Sequence, residues 1–414
     1  MMLAPMVDAS ELAFRLLCRT YGVQITYSPM LHASLFAKDE GYRRLHWDPS
    51  SQDRPFVVQF CANNPDPLLQ SALLVQNHCD AVDINLGCPQ TIAKRGNYGA
   101  YLQDDWELIS KMIKRLTSGI RIPVSCKIRI FSSLERTIEY AKMLENSGVS
   151  FLTVHGRTRD QKGRQTGIAD WETIRAVKDA VSIPVVANGN IQYNSDFARC
   201  RFATGCDAVM SAEGALYNPS IFSSNEHTAC WIIALKYLSF AEKFSTQIPY
   251  IRGHIFKLCH YVFLNSDYNH IRDQVAIGHT LQDFINAMKN LEEFYCSRVS
   301  HSLLTVNNLP FHVCQPYIRT SQEIKALQDS SEVRKCIANK ITIKSNECNV
   351  SRKRAKRLLR TSYVNGPKRI YAPCENCQQP SSNDCDFNRC RPCCKIFRLD
   401  STHICNKHVK SKKK

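Results

Sequence analysis

The chain has 414 residues, 20 cysteines and a formal net charge of +17, which is enough length for two or three domains with a large core. No apolar run reaches transmembrane length and the N-terminus does not resemble a signal peptide, so we expect reduced thiols or metal ligands instead of disulfides. Residues 331–414 carry 21 Lys and Arg against 6 Asp and Glu, whereas the remainder is nearly balanced, so we expect an anionic partner such as nucleic acid and a cytoplasmic or nuclear location.

Short β-branched runs alternate with amphipathic stretches through the first half of the chain. Apolar residues at helical spacing predict helices over 10–21, 106–116, 134–147 and 171–179, with helix starts marked by Ser10, Asp105 and Asp170. The predicted strands are 3–6, 24–28, 56–60, 81–86, 123–128, 149–155, 184–188 and 207–212. Eight such β-α units predict a (β/α)8 TIM barrel over residues 1–222, in preference to an open doubly wound sheet.

The pattern changes after residue 222. Amphipathic stretches at 229–240, 251–263 and 275–295, with no convincing strand between them, predict a small all-α domain over residues 223–320. Periodicity then fades and basic residues accumulate, which indicates a basic linker over 321–373. A Cys/His-rich module follows at 374–408, and residues 409–414 form a basic terminus.

The Cys/His-rich module has the spacing of a zinc site. Three pairs of potential ligands are separated by two residues, as tetrahedral zinc sites often require. The predicted ligands are Cys374, Cys377, Cys385, Cys390, Cys393, Cys405 and His408, with Cys394 as an alternative to Cys393. They suit one or two zinc ions, and the alternative is a redox-active or merely Cys-rich tail.

Polar or small residues follow all eight predicted strands, and in a barrel these strand ends meet at the active face. After the seventh and eighth strands, small residues would let backbone N–H groups approach a phosphate. Gln59, Lys127 and His155 carry groups that hold a planar, electron-accepting ring. The positions therefore favour FMN as cofactor.

Cys88 lies in the segment Asn85-Leu86-Gly87-Cys88-Pro89-Gln90, just past the end of a buried strand. A thiol with a pKa near ~8.5 stays protonated at neutral pH and can donate a proton. A catalytic nucleophile would need an adjacent base, and no Cys-His-Asn spacing of a hydrolase stands out. The alternative is a buried structural thiol.

Several long motifs resemble one family. They are Ala4-Pro5-Met6-Val7, residues 80–90, Lys94-Arg95-Gly96-Asn97-Tyr98-Gly99-Ala100, Cys126-Lys127-Ile128-Arg129, residues 153–159, Ala187-Asn188-Gly189-Asn190, Ile251-Arg252-Gly253-His254 and Gln315-Pro316-Tyr317-Ile318-Arg319. Through these motifs, residues 3 to 320 resemble the tRNA-dihydrouridine synthases, and within them the eukaryotic branch that acts on uridines 16 and 17.

The resemblance implies an FMN-dependent barrel that reduces the uracil 5,6 double bond in the D-arm of tRNA, with NADPH as reductant. It implies that the flavin gives a hydride to C6 and that Cys88 gives a proton to C5. The implied flavin contacts are Pro5, Met6, Val7, Gln59, Lys127, His155, Asn188, Gly189, Asn190, Ala212, Glu213 and Gly214. The implied tRNA contacts are Asn85, Arg129, Arg157, Lys94, Arg95, Arg252, His254 and Lys257.

Two departures from the family pattern keep alternatives open. Family members usually carry a dozen or more residues before the Ala-Pro-Met motif and this chain carries three, so we expect either a truncated N-terminus or a short first strand. A non-catalytic tRNA-binding homologue, or an FMN barrel that reduces a small molecule, are the alternative functions. Bacterial relatives have Gly-Arg in place of Glu213-Gly214, which implies backbone contacts to phosphate here. Three interpretations apply to the basic run 352–357. In order of preference, it binds tRNA phosphate, it is a nuclear-import signal, or it is a solvated stretch without a specific partner.

Overall fold

The structure is a computed structural model that describes residues 1–224, 227–297, 305–306, 309–318, 374–377, 385–390, 393–394 and 396–397. The chain divides into two compact units, Met1–Gln328 and Asp329–Lys414. Among the described residues, no helix is both long and apolar enough to cross a membrane. The predicted linker, the basic terminus and two predicted metal ligands, Cys405 and His408, lie outside the described residues.

Eight parallel strands form a closed barrel in the first unit. They are β1 (Met2–Leu3), β2 (Thr26–Tyr27), β4 (Phe56–Cys61), β5 (Ala81–Leu86), β6 (Val124–Arg129), β7 (Phe151–His155), β8 (Val185–Asn188) and β9 (Ala208–Ser211). The sheet runs β1-β9-β8-β7-β6-β5-β4-β2, and Met2 pairs with Ile25 to close it between β1 and β2. A short strand, β3 (Leu31–His32), also pairs with β4, and β10 (Thr305–Val306) pairs with β11 (Leu309–Pro310). The predicted TIM barrel is confirmed.

Helices surround the barrel and continue after it. In chain order they are α1 (Leu12–Thr20), α2 (Ala33–Lys38), α3 (Glu40–His46), α4 (Pro65–Val75), α5 (Thr91–Gly96), α6 (Trp106–Thr117), α7 (Leu134–Asn146), α8 (Trp171–Ala180), α9 (Asn194–Thr204), α10 (Glu213–Tyr217), α11 (Cys230–Lys243), α12 (Ile248–Leu258), α13 (Asn269–Ile277) and α14 (Leu281–Cys296). Two of the predicted helix starts are caps: Asp105 accepts a hydrogen bond from the Leu108 N–H, and Asp170 accepts one from the Thr173 N–H. The third is wrong, because α1 has Glu11 as its N-cap and the Ser10 hydroxyl donates to the Met6 carbonyl instead.

The predicted helix at 275–295 is wrong in one respect, because the structure has two helices there. α13 ends at Ile277, and the N–H of Gly278 still donates to the carbonyl of Gln274. Thr280 then caps α14, where its side chain and that of Asp283 form a reciprocal capping box. Amphipathic periodicity ran through the break because both helices bury an apolar face.

The core of the barrel continues into α11 to α14. Phe14 on α1 packs against Tyr237 and stacks on His254, with ring centroids 4.2 Å apart in the second pair. One apolar cluster contains buried residues from the barrel strands and from these later helices. The boundary predicted at residue 222 therefore stays a prediction, since both parts belong to one compact unit.

Glu11, His254 and Tyr237 form a buried brace between α1 and the later helices. The Glu11 carboxylate accepts from the Tyr237 hydroxyl at 2.8 Å and lies 3.0 Å from Nε2 of His254. Burial alone would raise the pKa of Glu11, but the His254 imidazole and the Tyr237 hydroxyl outweigh it and lower that pKa. The carboxylate thus depends on its partners for stabilisation.

We expect His254→Ala to lower the free energy of unfolding by about 3 kcal/mol, because it leaves a buried carboxylate without its main partner. Tyr237→Phe is the matched control, since it removes one hydrogen bond from the same carboxylate and is expected to cost about 1 kcal/mol. Denaturant unfolding of both variants measures the difference. Equal midpoints for His254→Ala and the wild type would contradict the brace.

Candidate active site

Cys88 lies on the loop that follows β5, and Asn85 shapes that loop. The Asn85 side-chain oxygen accepts hydrogen bonds from the backbone N–H groups of Cys88 at 2.9 Å and Gly87 at 3.2 Å. Gly99 packs against the other side, where a Cβ atom would lie 2.8 Å from the Cys88 carbonyl oxygen. Its φ of +64° also favours glycine. The thiol position is therefore fixed by the loop's own hydrogen bonds and by close backbone packing.

The Cys88 thiol is half-buried and remains protonated at neutral pH. Burial raises the pKa of Cys88 above its usual value, although Arg129, Lys127 and Lys162 lie close enough to oppose the change. A raised pKa suits a proton donor and does not suit a thiolate nucleophile. Burial therefore favours the protonated thiol that a proton donor requires.

Basic side chains collect beside Cys88 at the ends of β6 and β7. The strand register pairs Arg129 with His155, so these two residues are neighbours across the sheet. Nζ of Lys127 donates to the Asn188 side-chain oxygen at 2.9 Å. Neither Lys127 nor Arg129 forms an ion pair with a carboxylate in the parts of the chain that the structure describes. The positive charge of the cluster is therefore not neutralised by a direct ion pair, although the buried Asp83 carboxylate lies close enough to favour the charged form of Lys127.

The crowding of these cations lowers their pKa values. Burial, followed by the neighbouring Arg129, lowers the pKa of Lys127 to about 8. Burial, followed by Arg157, lowers the pKa of Arg129 to about 10. Burial and the charges of Lys127, Arg129 and Arg157 lower the pKa of His155 well below its usual value, so the imidazole is neutral. An anionic or electron-rich group that enters this site would be stabilised by it.

The predicted ring contact His155 and the predicted tRNA contact Arg157 touch each other. Nη1 of Arg157 lies 3.0 Å from Nε2 of His155, so the neutral imidazole accepts and its proton resides on Nδ1. Nη2 of Arg157 also donates to the Asn190 side-chain oxygen and to the Gly167 carbonyl. In this structure the guanidinium therefore organises the loops after β7 and β8.

Arg129 likewise holds loops together. Its Nε donates to the Gly87 carbonyl at 2.8 Å, and its Nη1 donates to the carbonyls of Thr158 at 2.9 Å and Gln161 at 3.0 Å. The side chain is buried, and these contacts join the Cys88 loop to the loop after β7. A contact between Arg129 and tRNA, as predicted, would therefore have to form while the side chain keeps these three hydrogen bonds.

The loops after β8 and β9 bring the predicted phosphate contacts together. Asn188 is buried and donates from its side-chain nitrogen to the Met210 carbonyl at 2.9 Å. Gly189 has φ +118°, and a Cβ there would lie 2.6 Å from the Ala169 Cβ atom. A Cβ at Gly214 would lie 2.3 Å from the Ile191 carbonyl oxygen, so the two loops pack closely. The neighbouring predicted contacts are Asn190, which has φ +59°, Ala212, which precedes α10, and Glu213, which begins it.

The remaining predicted contacts of the barrel face differ in exposure. Pro5 and Met6 are half-buried after β1, and Val7 is exposed. Gln59 is fully buried at the interior of the barrel. Lys94 and Arg95 are exposed on α5, which begins shortly after Cys88. The last two are therefore accessible to a polyanion.

The predicted tRNA contacts of the helical part are less exposed to solvent than Lys94 and Arg95 on the barrel face. His254 is 1% exposed and belongs to the buried brace, so the expectation of a direct contact with tRNA is wrong in this structure. Arg252 donates to the carbonyls of Val275 and Gly278 at the end of α13. Nζ of Lys257 donates to the Gly253 carbonyl at 3.2 Å. The resemblance that implied these contacts did not distinguish inward or capping positions from exposed ones.

Two residues of the site were not predicted. Nζ of Lys162 donates to the Pro89 carbonyl at 2.8 Å and to the Tyr101 hydroxyl at 3.0 Å, so this exposed lysine ties the loop after β7 to the Cys88 loop. Asp83 is fully buried in β5, below Asn85. The sequence did offer an indication for Asp83, because a carboxylate is unusual in the middle of a strand whose residues are all buried.

The second unit contains a candidate metal centre. The Sγ atoms of Cys374, Cys377, Cys390 and Cys393 all lie within 4.8 Å of one another. Burial opposes the change, but backbone N–H groups of Cys390, Asn376 and Cys377 lower the pKa of the Cys374 thiol to about 6, which favours the thiolate that metals bind.

Of the five predicted ligands that the structure describes, four come together. Cys385 instead packs with Cys394 and Phe387 in a small apolar cluster. Of the two adjacent candidates, Cys393 belongs to the four-thiol group and Cys394 does not.

Comparison with known proteins agrees with this geometry. The family model described as dihydrouridine synthase (Dus) matches residues 2–309. A Mus musculus protein named as a tRNA-dihydrouridine(16/17) synthase-like protein is 43% identical over 98% of this chain and 86% of its own length. The Saccharomyces cerevisiae tRNA-dihydrouridine(16/17) synthase is 55% identical over 53% of each chain. The Schizosaccharomyces pombe protein of the same name is 43% identical over 68% of this chain and 74% of its own length. The chain belongs to the dihydrouridine synthase family.

Proposed function

We propose that this protein reduces uridines 16 and 17 in the D-arm of tRNA to dihydrouridine, with FMN as cofactor and NADPH as reductant. The observation that carries the proposal is the protonated, half-buried thiol of Cys88 at the strand ends of the barrel. It lies beside Lys127 and Arg129, neither of which forms an ion pair with a carboxylate among the described residues. The names of the relatives, which specify tRNA, positions 16/17 and NAD(P)(+), support the choice of substrate and reductant.

Reduction of the uracil 5,6 double bond requires a hydride at C6 and a proton at C5. FMN, when bound, supplies the hydride. The thiol of Cys88 supplies the proton, because it remains protonated at neutral pH. The positive charge of Lys127 and Arg129 stabilises negative charge that develops on the uracil carbonyls. Asn85 is proposed to orient the base as well as to hold the Cys88 loop.

The residues of the barrel face fit a phosphorylated flavin. Lys127 and the neutral His155 provide a cation and an imidazole for an electron-accepting ring. Asn188, Gly189 and Gly214 form the closely packed loops after β8 and β9, where barrels commonly bind phosphate. The four-thiol group of the second unit is proposed to hold zinc.

The visible absorption spectrum of the purified chain tests the cofactor directly. We expect flavin bands near roughly 370 and 450 nm, bleached by NADPH, because reduction removes the oxidised flavin's absorbance. A colourless protein that does not take up added FMN would contradict the proposed chemistry. It would instead favour a tRNA-binding protein without catalytic activity.

Deletion of residues 331–414 should weaken tRNA binding and make it less sensitive to salt. The segment carries a net charge of about +15 by residue count, and each lost phosphate contact reduces counterion release. Binding titrations across a range of salt concentrations measure both effects. Replacement of the basic residues of 352–357 by Gln is the matched control for charge without deletion. An unchanged affinity and salt slope would assign tRNA binding to the first unit alone.

A further inference from the structure

A chain of buried hydrogen bonds leads from Asp83 to the Cys88 loop. Nε2 of Gln59 donates to Oδ2 of Asp83 at 2.8 Å, and Nδ2 of Asn85 donates to Oε1 of Gln59 at 2.7 Å. Oδ1 of Asn85 then accepts from the N–H of Cys88. Strand pairing supports the chain, because Gln59 on β4 lies directly opposite Asp83 on β5.

The two ends of this chain fix the orientation of both amides between them. An ionised carboxylate only accepts hydrogen bonds, and a backbone N–H only donates them. The NH2 group of Gln59 must therefore face Asp83, and its oxygen must face Asn85. The oxygen of Asn85 must in turn face Cys88. If the carboxylate were replaced by a group that also donates, reversal of both amides would no longer be blocked at the Asp83 end. Such a reversal would leave the N–H groups of both Gly87 and Cys88 opposed by another donor.

Burial of the Asp83 carboxylate inside the barrel costs free energy. Asp83 is 0% exposed, its other oxygen accepts from the Ser125 hydroxyl at 2.6 Å, and it has no ion-pair partner among the described residues. Burial raises the pKa of Asp83 to about 6 and outweighs the hydrogen bonds from Ser125 and Gln59 and the charge of Lys127, which oppose the change. The group is therefore ionised at neutral pH against the net preference of its surroundings. A neutral side chain of the same shape would be easier to bury. The fold therefore gains little from the charge, which points to a use in the site.

We propose that Asp83 is a positioning residue that acts through Gln59 and Asn85 to hold the Cys88 thiol in place for proton transfer. The inference rests on the proposed function of Cys88 as the proton donor. It assigns to Asp83 no contact with the substrate or the cofactor.

Asp83→Asn tests the proposal. The amide has the same shape as the carboxylate but can donate hydrogen bonds as well as accept them. We expect oxidation of the reduced flavin by tRNA to slow by about 10²-fold, the cost of a small misplacement of a reacting group. Reduction of the flavin by NADPH should slow far less than its oxidation by tRNA, because the thiol takes no part in it and only the predicted Gln59 contact to the flavin is disturbed. In the Cys88→Ala background, Asp83→Asn should add no further loss beyond about twofold, because residues that act as a unit are not additive.

Two further measurements separate positioning from a structural role. The thermal midpoint of Asp83→Asn should equal or exceed that of the wild type, because a buried charge is removed. The rate at which iodoacetamide alkylates Cys88, read by mass spectrometry in protein without bound cofactor, should change in Asp83→Asn. Ser125→Ala is the matched control, since it removes the other hydrogen bond to the same carboxylate. It should leave the alkylation rate of Cys88 unchanged.

Three results would overturn the proposal. They are a normal rate of flavin oxidation by tRNA in Asp83→Asn, a full additional loss in the Cys88→Ala background, or lower stability of both Asp83→Asn and Asp83→Ala, which would make Asp83 a residue of the fold. Failure of the proposed function would look different, because wild-type protein would then show no flavin and no dihydrouridine formation.

Discussion

Cys88→Ala is expected to lower the rate of dihydrouridine formation by about 10²–10⁴-fold, the range that a positioned general acid contributes. The loop is held by Asn85 and by the close packing of Gly99, neither of which needs the thiol. Flavin content, reduction by NADPH and tRNA affinity should therefore remain. The decisive comparison is single-turnover oxidation of the reduced flavin by tRNA, which requires the proton.

Cys79→Ala is the matched control for this experiment. Cys79 is also buried and precedes the same strand, but at the end opposite the active face, where its thiol donates to the Val75 carbonyl at 3.3 Å. Its loss should leave turnover close to the wild-type value. A Cys88→Ala protein that forms dihydrouridine at a near wild-type rate would refute the assignment of the proton donor.

Removal of metal from the second unit is the other large effect that we expect. A tetrahedral zinc ion with Zn–S distances of about 2.3 Å would place its sulfur ligands about 3.8 Å apart, and the four thiols already lie within 4.8 Å of one another. Structural zinc contributes on the order of 10 kcal/mol to the folding of such small modules. Chelation, or Cys377→Ser, should therefore unfold the module around the four thiols.

Metal analysis and limited proteolysis test this expectation. The wild-type chain should contain at least one zinc ion, and protease should cut residues 374–393 rapidly only after chelation. Cys296→Ser is the control, because Cys296 is exposed at the end of α14 and does not belong to the four-thiol group. Absence of zinc in protein prepared without chelators would contradict the site.

Much of the fold follows from periodicity alone. Strands β4 to β9 occur where buried β-branched runs alternate with amphipathic helices, and their register then places Asn85 beside Lys127 and Arg129 beside His155. The first strand is shorter than predicted, because only Met2 and Leu3 pair with β9. The break at Gly278 was missed because both flanking helices bury an apolar face.

Less of the active site than of the fold could be predicted from the sequence. Strand ends identified the residues that meet at the barrel face, because topology alone brings them together. Sequence could not show that Arg129 is occupied by three backbone carbonyls, or that Lys162 reaches the Cys88 loop, since both depend on how loops fold over one another. His254 was misjudged because a polar residue on an amphipathic helix can face a buried partner, here Glu11.

The most direct test of the account is the product formed on tRNA. Unmodified tRNA is incubated with the purified protein and NADPH, and each uridine of the D-arm is examined by mass spectrometry for the gain of two hydrogens. We predict dihydrouridine at positions 16 and 17, dependent on NADPH and nearly abolished by Cys88→Ala. Protein that contains flavin and binds tRNA, yet leaves every uridine unreduced, would contradict the central claim.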